Sequence, residues 1–455
     1  MESVEDIINH IIPKITPSPK DKEQITETLN AFTTKVTKEI KKQDITATIE
    51  TVGSIAKDTY LKDTLDIDVF LLFNPGIERT IIAQTTKIIG KKLLKNTEEC
   101  YAEHPYIRGT YNGFKIELVP GYKITDATQK ISAVDRTPLH TSYVRTQLKP
   151  YQKKEIRLFK QFLHGINCYG AEAAIQGFSG YLCEILILHY DTFLDLIKEA
   201  TKWKPPIKLS LHEEPFLDFI DPFVFIDPVD AERNVASAVS ERTLTRFITA
   251  CDAFLETPKD TFFFPNQVKP WTLKKINNHR IKSKKHYIGI KFSKPNLINE
   301  NLIPQLRKTC RFIKNEASIN DFVIDDITFT LDHSRNYIYI IIQTDTEPLS
   351  ETYTHMGPPS TLAKHRKKFE DKWNNHPRLD KQPYEKNKRM YVSVKRKHRT
   401  LLSFLTDTLL TYPLSKHIQQ ELHHYYFIAK DEELMTTDLR IFWTQYFDGK
   451  YPWER

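Results

Sequence analysis

The stretch Leu65-Asp66-Ile67-Asp68-Val69-Phe70-Leu71-Leu72-Phe73, closed by Asn74-Pro75-Gly76, limits what this chain can fold into more than any other. A run of β-forming apolar residues that stops at a turn reads as a strand. Side chains alternate along a strand, so Asp66 and Asp68 share one face while Ile67 and Val69 take the other. Side by side, two acids repel and raise each other's proton affinity unless a cation lies between them, and hard oxygen ligands in this arrangement suit magnesium. The plainer alternative is an edge strand whose aspartates face water, the commoner case for an isolated Asp-x-Asp.

Two neighbouring features favour the first reading. Glu117 stands alone among β-formers in Phe114-Lys115-Ile116-Glu117-Leu118-Val119-Pro120, an unusual place for an acid. Three acids on adjacent strands would form a two-metal site, which stabilises the attacking and leaving oxygens of an in-line phosphoryl displacement. Gly53-Ser54 precedes the paired aspartates. Its glycine lets backbone approach a phosphate, and the serine hydroxyl with the following amides at a helix start can bind a triphosphate. The Walker sequence of P-loop ATPases is absent.

At 455 residues the chain exceeds one ordinary core, so two to four packed units are expected. Ile25, Leu29, Phe32, Val36 and Ile40 recur at helical spacing through Asp21 to Lys42, and a β-prone stretch follows at Thr46 to Val52. A further strand, Gly113 to Ile124, is expected to be interrupted at Pro120-Gly121. From Pro150 helical periodicity takes over, with Ile156, Phe159, Phe162 and Leu163 in one stripe and a strongly apolar stretch at Tyr181 to Tyr190. After the Pro-containing Phe262 to Pro270, a strand (Tyr287 to Phe292), a helix with Leu302, Leu306 and Phe312, and strands near Asp321 to Leu331 and Tyr337 to Thr344 give a βαββ pattern. Between Lys364 and Arg399 lysines and arginines face only four acids, interleaved with Phe369, Trp373, Tyr384 and Tyr391. These aromatics could stack on bases or simply anchor the segment.

The expected fold class is α+β: a small mixed sheet carrying helices over residues 1–143, a largely helical middle over 144–270, and an α+β tail over 271–455. No apolar run approaches the ~18 residues of a spanning helix, so no membrane is expected. Five scattered cysteines and an N-terminus without a secretory pattern fit a reducing cytoplasm, and no CxxC or HExxH spacing suggests zinc. The net charge of +8 hints at a polyanionic partner without choosing one.

The run Val52-Gly53-Ser54-Ile55-Ala56-Lys57, with Leu65 to Leu72 after it, resembles the signature of polymerase-β-like nucleotidyltransferases. Ala102-Glu103-His104-Pro105-Tyr106, Ser132 to His140, Gly177 to Glu184, Asp227 to Asn234 and, more faintly, Met356-Gly357-Pro358 are similar to runs of archaeal, class I CCA-adding enzymes. The resemblance implies template-independent addition of the 3′-terminal CCA of tRNA from CTP and ATP with Mg2+ and release of pyrophosphate. It implies a polymerase-β-like head, a helical nucleotide- and tRNA-binding middle, and an RRM-like tail with C-terminal helices against the tRNA acceptor arm. Such enzymes often form homodimers.

Position by position, it implies that Asp66, Asp68 and Glu117 bind metal and carry catalysis. Gly53, Ser54, Lys57, Lys160 and Tyr169 would hold the triphosphate, His140 would contact the nucleotide, and Arg233 would help read the base. Read without the resemblance, Lys160 is a snorkelling surface lysine, Tyr169 plain core, His140 an exposed loop histidine, and Arg233 a partner of Glu232 or Asp230. The chain departs from the family pattern twice. Lys57 replaces a usual arginine and loses its bidentate fork on phosphate. Glu117 replaces a usual aspartate and extends the carboxylate by one methylene, a shift of about an ångström. Competing readings are a poly(A) polymerase-like or oligoadenylate-synthesising relative, and a non-catalytic RNA-binding protein on a degenerate transferase scaffold.

Overall fold

The structure, a computed structural model, describes residues 3–62, 66–101, 104–212, 218–332, 335–345 and 348–455. Leu65, Ala102 and Glu103, which belong to the motif runs above, lie outside the described residues. The chain forms two compact units, Met1–Gln267 with Lys450–Arg455, and Val268–Gly449.

The first unit opens with helix α1 (Val4–Ile15), a stretch the sequence reading left unassigned, with Pro13 inside it. Its signature is local nonetheless: Ser3 and Asp6 form a capping box, and Ile7, Ile11 and Ile15 recur at helical spacing on the buried side. These isoleucines join the core of the helical half of the unit, beside Ile156, Phe159 and Phe162. Helix α2 (Pro19–Lys42) begins two residues before the Asp21 expected for it, since Ser18 caps it and Pro19 occupies the first turn, where a missing N–H costs nothing. Strand β1 (Ala47–Val52), short helix α3 (Gly53–Lys57), strand β2 (Asp66–Phe73), helix α4 (Arg79–Leu93) and strands β3 (Lys95–Tyr101), β4 (Pro105–Tyr111) and β5 (Phe114–Tyr122) follow.

The five strands form one sheet in the order β1-β2-β5-β4-β3, with β2 and β5 parallel and the other pairs antiparallel. One face is apolar: Ile67, Val69, Leu71, Ile116 and Leu118 pack with Phe32, Val36 and Ile89 of α2 and α4. At roughly 1.5 to 3 kcal/mol per buried large apolar side chain, this face fixes the register of β2. On the other face Val52, Phe70, Leu72 and Val119 make a smaller cluster. The interruption expected at Pro120-Gly121 does not occur: β5 pairs through Leu71↔Pro120 and Leu72↔Gly121. The ladder with β4 ends at Ile107↔Leu118, so the donor that Pro120 lacks breaks no β4–β5 pair.

Helices α5 (Arg136–Gln147), α6 (Gln152–Gly165), α7 (Gly180–Tyr190) and α8 (Phe193–Ala200), a two-stranded pair β6 (Ile207–Leu209) and β7 (Phe223–Phe225), and helix α9 (Glu241–Glu256) complete the unit. Phe159, Phe162, Phe178, Phe193, Phe247 and Phe254 fill their common core, largely edge to face. The last residues of the chain return here, Trp453 stacking on Phe262. All five cysteines are buried and unpaired, as small core residues.

The second unit holds helix α10 (Leu273–Ser283), strand β8 (His286–Ser293), helix α11 (Asn299–Ile319) and strands β9 (Asp326–Asp332) and β10 (Tyr337–Thr344), the anticipated βαββ order. Next come strand β11 (Thr352–Pro359), helix α12 (Ala363–Trp373), strands β12 (Leu379–Lys386) and β13 (Arg389–Lys395), helices α13 (Leu401–Thr408) and α14 (Lys416–His424), strand β14 (Tyr426–Lys430) and helix α15 (Arg440–Asp448). Its four-stranded sheet runs β14-β8-β10-β9, and a second sheet runs β11-β13-β12. The basic segment is therefore α12 with β12 and β13. Phe369 and Trp373 anchor it, buried against Met390, Val392 and Val394, while Tyr384 is exposed and stacks on Tyr391.

Candidate active site

Asp68 stands at the open end of the sheet's second face, opposite Val52 on one side and Glu117 on the other. Asp66 lies two residues along the same face, about half exposed, with Lys115 Nζ 3.9 Å away. Arg108, directly across from Glu117 on β4, donates to Glu117 Oε1 through Nε at 2.8 Å and pairs through Nη2 at 2.7 Å. Burial, then the charges of Glu117 and Asp66, push Asp68 up to about 7. A carboxylate that holds its proton so tightly marks a surface with too little positive charge nearby.

Gly53 has φ +72°, and a Cβ on it would come within 2.2 Å of Asp68 Oδ2. Only glycine allows the β1-to-α3 turn to pass over that carboxylate. The far end of α3 is pinned by α6: Asp58, left-handed at φ 54°, accepts from Arg157 at 2.6 Å. Ser54 and Asp66 then line a cleft of about 420 Å3 together with Lys160, His164, Tyr169 and Glu172. Tyr169 is part of the cleft wall, stacked on His164 with ring centroids 4.1 Å apart.

Lys160 is not a snorkelling surface lysine. It is fully buried, and its Nζ donates at 3.2 Å to Glu184 Oε1, to Thr59 O and to Thr59 Oγ1. Lys57 is also buried and donates to Glu184 Oε2. Thr59 Oγ1 donates to Glu184 Oε1 at 2.6 Å. Burial pushes Lys160 down, against the pull of Glu184, and would raise Glu184 were it not for Lys57 and Lys160, whose charges bring it below its usual range.

A second centre forms at Asp227. His140 is no exposed loop residue: it sits within α5, buried, with Nε2 2.8 Å from Asp227 Oδ2 and its ring stacked on Tyr181 at 4.0 Å. Arg233 Nη1 donates to the same oxygen at 2.9 Å, and Tyr181 Oη donates to Asp227 Oδ1 at 3.0 Å. The ion pair of Arg233 is thus with Asp227 and not with Glu232 or Asp230; Asp230 takes Lys130 and Arg136 instead. Burial alone would raise Asp227, but its donors, His140 foremost, hold it at about 2.

Three family models match the chain in order: the nucleotidyltransferase domain over residues 34–140, the second domain of tRNA nucleotidyltransferase over 154–264, and the C-terminal domain of the CCA-adding enzyme over 284–431. The CCA-adding enzyme of Methanosarcina mazei is 31% identical over 445 residues, covering 96% of this chain and 97% of that one. Those of Thermoplasma volcanium and Archaeoglobus fulgidus are both 33% identical, over 90% and 84% of this chain and 90% and 86% of theirs. The chain belongs to the CCA-adding enzymes. As a member it is a tRNA nucleotidyltransferase, with an α+β fold whose first sheet carries the nucleotidyltransferase domain.

In this CCA-adding enzyme the residues singled out from sequence fall into two groups within the first unit. Ser54, Asp66, Lys160 and Tyr169 meet at the cleft, with Gly53, Lys57, Asp68 and Glu117 behind or beside it; His140 and Arg233 meet at Asp227. Lys57 lies over the Tyr181 ring at 5.9 Å, so Tyr181 links the groups. The sequence reading missed Arg108, Glu184, Tyr181 and Asp227. Glu184 left a signal, a lone acid inside the apolar stretch Tyr181 to Tyr190, where a buried charge demands partners. Arg108 left none, since only the β4–β5 register brings it to Glu117.

The carboxylate face suits a divalent cation by its charge: the raised proton affinity of Asp68 is what a bound cation would relieve. Among the described residues, however, no three His, Cys, Asp or Glu side chains gather closely enough to hold one ion together, Glu117 being turned to Arg108. Among the described residues, no helix is long and apolar enough to cross a membrane.

Proposed function

We propose that the chain rebuilds the 3′-terminal CCA of tRNA without a template, joining CMP and AMP units from CTP and ATP to the growing 3′ end and releasing pyrophosphate. The observation that carries this reading is the juxtaposition of Asp68, Glu117 and Asp66 on one sheet face with a cleft walled by Ser54, Lys160 and Tyr169. Asp66 and Asp68 would hold Mg2+, and Glu117 would join them on leaving Arg108. Bound there, the cations would offset the negative charge of the α-phosphate and make the attacking 3′-hydroxyl easier to deprotonate.

Gly53 and Ser54 offer backbone and hydroxyl to the triphosphate, and Lys57, Lys160 and Tyr169 hold its negative charge in place. His140 and Arg233 face the nucleotide from the Asp227 centre. Arginine's fork suits the acceptors of a pyrimidine edge, and fixing it to a buried aspartate limits the orientations it can take. In this reading residues 1–143 carry catalysis, 144–270 bind nucleotide and tRNA, and 271–455 bind the acceptor arm through backbone and shape. The lysines and arginines of the 364–399 segment suit a phosphate backbone.

The test uses tRNAs lacking the whole CCA, its last two nucleotides, or only the final A, each with single nucleoside triphosphates and Mg2+. Stepwise addition of C, C and A that then stops is expected. Continued addition of A, or indifference to CTP, would identify a poly(A) polymerase-like or oligoadenylate-forming enzyme. Asp66→Ala and Asp68→Ala should abolish incorporation and leave tRNA affinity nearly unchanged; survival of activity in both would disprove the metal assignment.

A further inference from the structure

Glu184 has no part in the chemistry described so far, yet it is the most completely enclosed charge near the cleft, its side chain 1% accessible. It stands on α7 and reaches two cations from different parts of the unit, Lys57 at the end of α3 and Lys160 on α6. Thr59 closes the group by donating to Glu184 and accepting from Lys160. Lys160 itself lines the cleft, beside Ser54, Asp66 and Tyr169. Three buried charges therefore carry a net charge of +1 at the wall of a site facing a polyanion.

We propose that Glu184 is a positioning residue of the nucleotide site, a buried carboxylate that fixes the ammonium groups of Lys57 and Lys160 beside the cleft and keeps both charged. This rests on the reading that these lysines hold the triphosphate. A lone ammonium buried without a partner sheds its proton, because the neutral amine is cheaper to desolvate; two ammonium groups in one such site do so sooner. A carboxylate between them removes that penalty and fixes both Nζ atoms through hydrogen bonds. Thr59 stops the carboxylate from rotating away to one lysine. The burial effect on Lys160 and the opposing effect of Glu184 have the signs this account needs.

The other titratable groups around the cluster are Asp68, His140, His164, Tyr169, Tyr181 and Cys183. Of these, Asp68, pushed up to about 7, and the histidines change charge near neutrality. The histidines are pushed down by burial and are neutral across the alkaline range where the test is read, and Asp68 is ionised at its alkaline end in wild type and variants alike.

The experiment measures kcat and KM for CTP and ATP with the full chain from about pH 6 to about pH 9, in wild type, Glu184→Gln and Glu184→Asp. In Glu184→Gln, KM for both nucleotides should rise at least about tenfold at the alkaline end and return toward wild type at the acid end, as the lysines regain their protons. Saturating kcat should change less than about threefold. Glu184→Asp keeps the charge and shortens the reach, so its KM should be raised with a pH profile parallel to wild type. Should Glu184→Gln not fold, Lys57→Met and Lys57→Met/Glu184→Gln are compared, a background in which one ammonium, not two, is left unpaired. The double variant alone should gain the alkaline rise in KM. Parallel KM profiles with and without the Glu184 charge, or a loss confined to the active fraction, would overturn the inference. If Lys160→Met leaves KM for both nucleotides unchanged, the triphosphate reading fails first, and the two failures are told apart.

Discussion

Asp68 and Asp227 are aspartates of one folding unit, the first half-buried and the second buried, and their surroundings drive them in opposite directions. Asp68 shares its sheet face with two more acids and rises to about 7; Asp227 is ringed by His140, Arg233, Tyr181 and a backbone N–H and falls to about 2. Residue type is the same, and the more buried of the two, Asp227, is the one held low, so the difference lies in the partners. A carboxylate with every lone pair occupied is a structural hub that orients its donors. One left among like charges is an unfinished electrostatic site, and it is there that a cation has most to gain.

The strongest way to break this contrast is Asp68→Asn. Incorporation should fall more than about 10³-fold, while the metal-free protein gains on the order of 2 kcal/mol because a crowded charge has gone. In thermal melts the stabilisation by added Mg2+ should shrink with it. A variant that is both inactive and less stable would argue against a charge-frustrated face.

Gly53→Ala should follow, with a loss of about 1 to 2 kcal/mol from the left-handed backbone and about 10²-fold in activity from displacement of Asp68. The activity loss should exceed what the melting curve explains, since the added Cβ would lie 2.2 Å from the carboxylate oxygen.

Asp227→Asn tests the saturated centre. Stability should drop by about 2 kcal/mol, and discrimination between CTP and ATP should weaken as Arg233 and His140 lose their common acceptor. Its pH signature has a definite sign. The folded value, about 2, lies below the ordinary 3.8, so the unfolded chain takes the proton first. The stabilisation is present above the ordinary value and is lost as pH falls through about 2, a limb that acid denaturation should show in wild type and not in Asp227→Asn. Asp230→Asn, three residues on, removes a buried carboxylate shared by Lys130 and Arg136. It should cost about 1 to 2 kcal/mol with nucleotide discrimination unchanged, an internal control that separates lost stability from lost discrimination.

Legibility in the sequence followed the range of the interaction. Helix α2 and the stripe of α6 were readable because apolar residues recur every three to four positions, and strands β2 and β10 because β-forming apolar residues run together within one segment. Helix α1 was left unassigned although its cap and isoleucine spacing are local, and β5 was expected to break because a proline was read without knowing where its ladder with β4 ends. Lys160 and His140 look like surface residues in one dimension because their partners Glu184 and Asp227 lie 24 and 87 residues away.

By itself the sequence determined the strand that carries Asp66 and Asp68 on one face and the glycine turn before it, since alternation and backbone freedom are properties of adjacent residues. Tertiary structure alone decided that Glu117 is shared with Arg108, that two lysines close on one buried glutamate, and that Asp227 gathers three side-chain donors. Charge in a protein interior is set by what folding brings within hydrogen-bonding distance, and no local pattern encodes that.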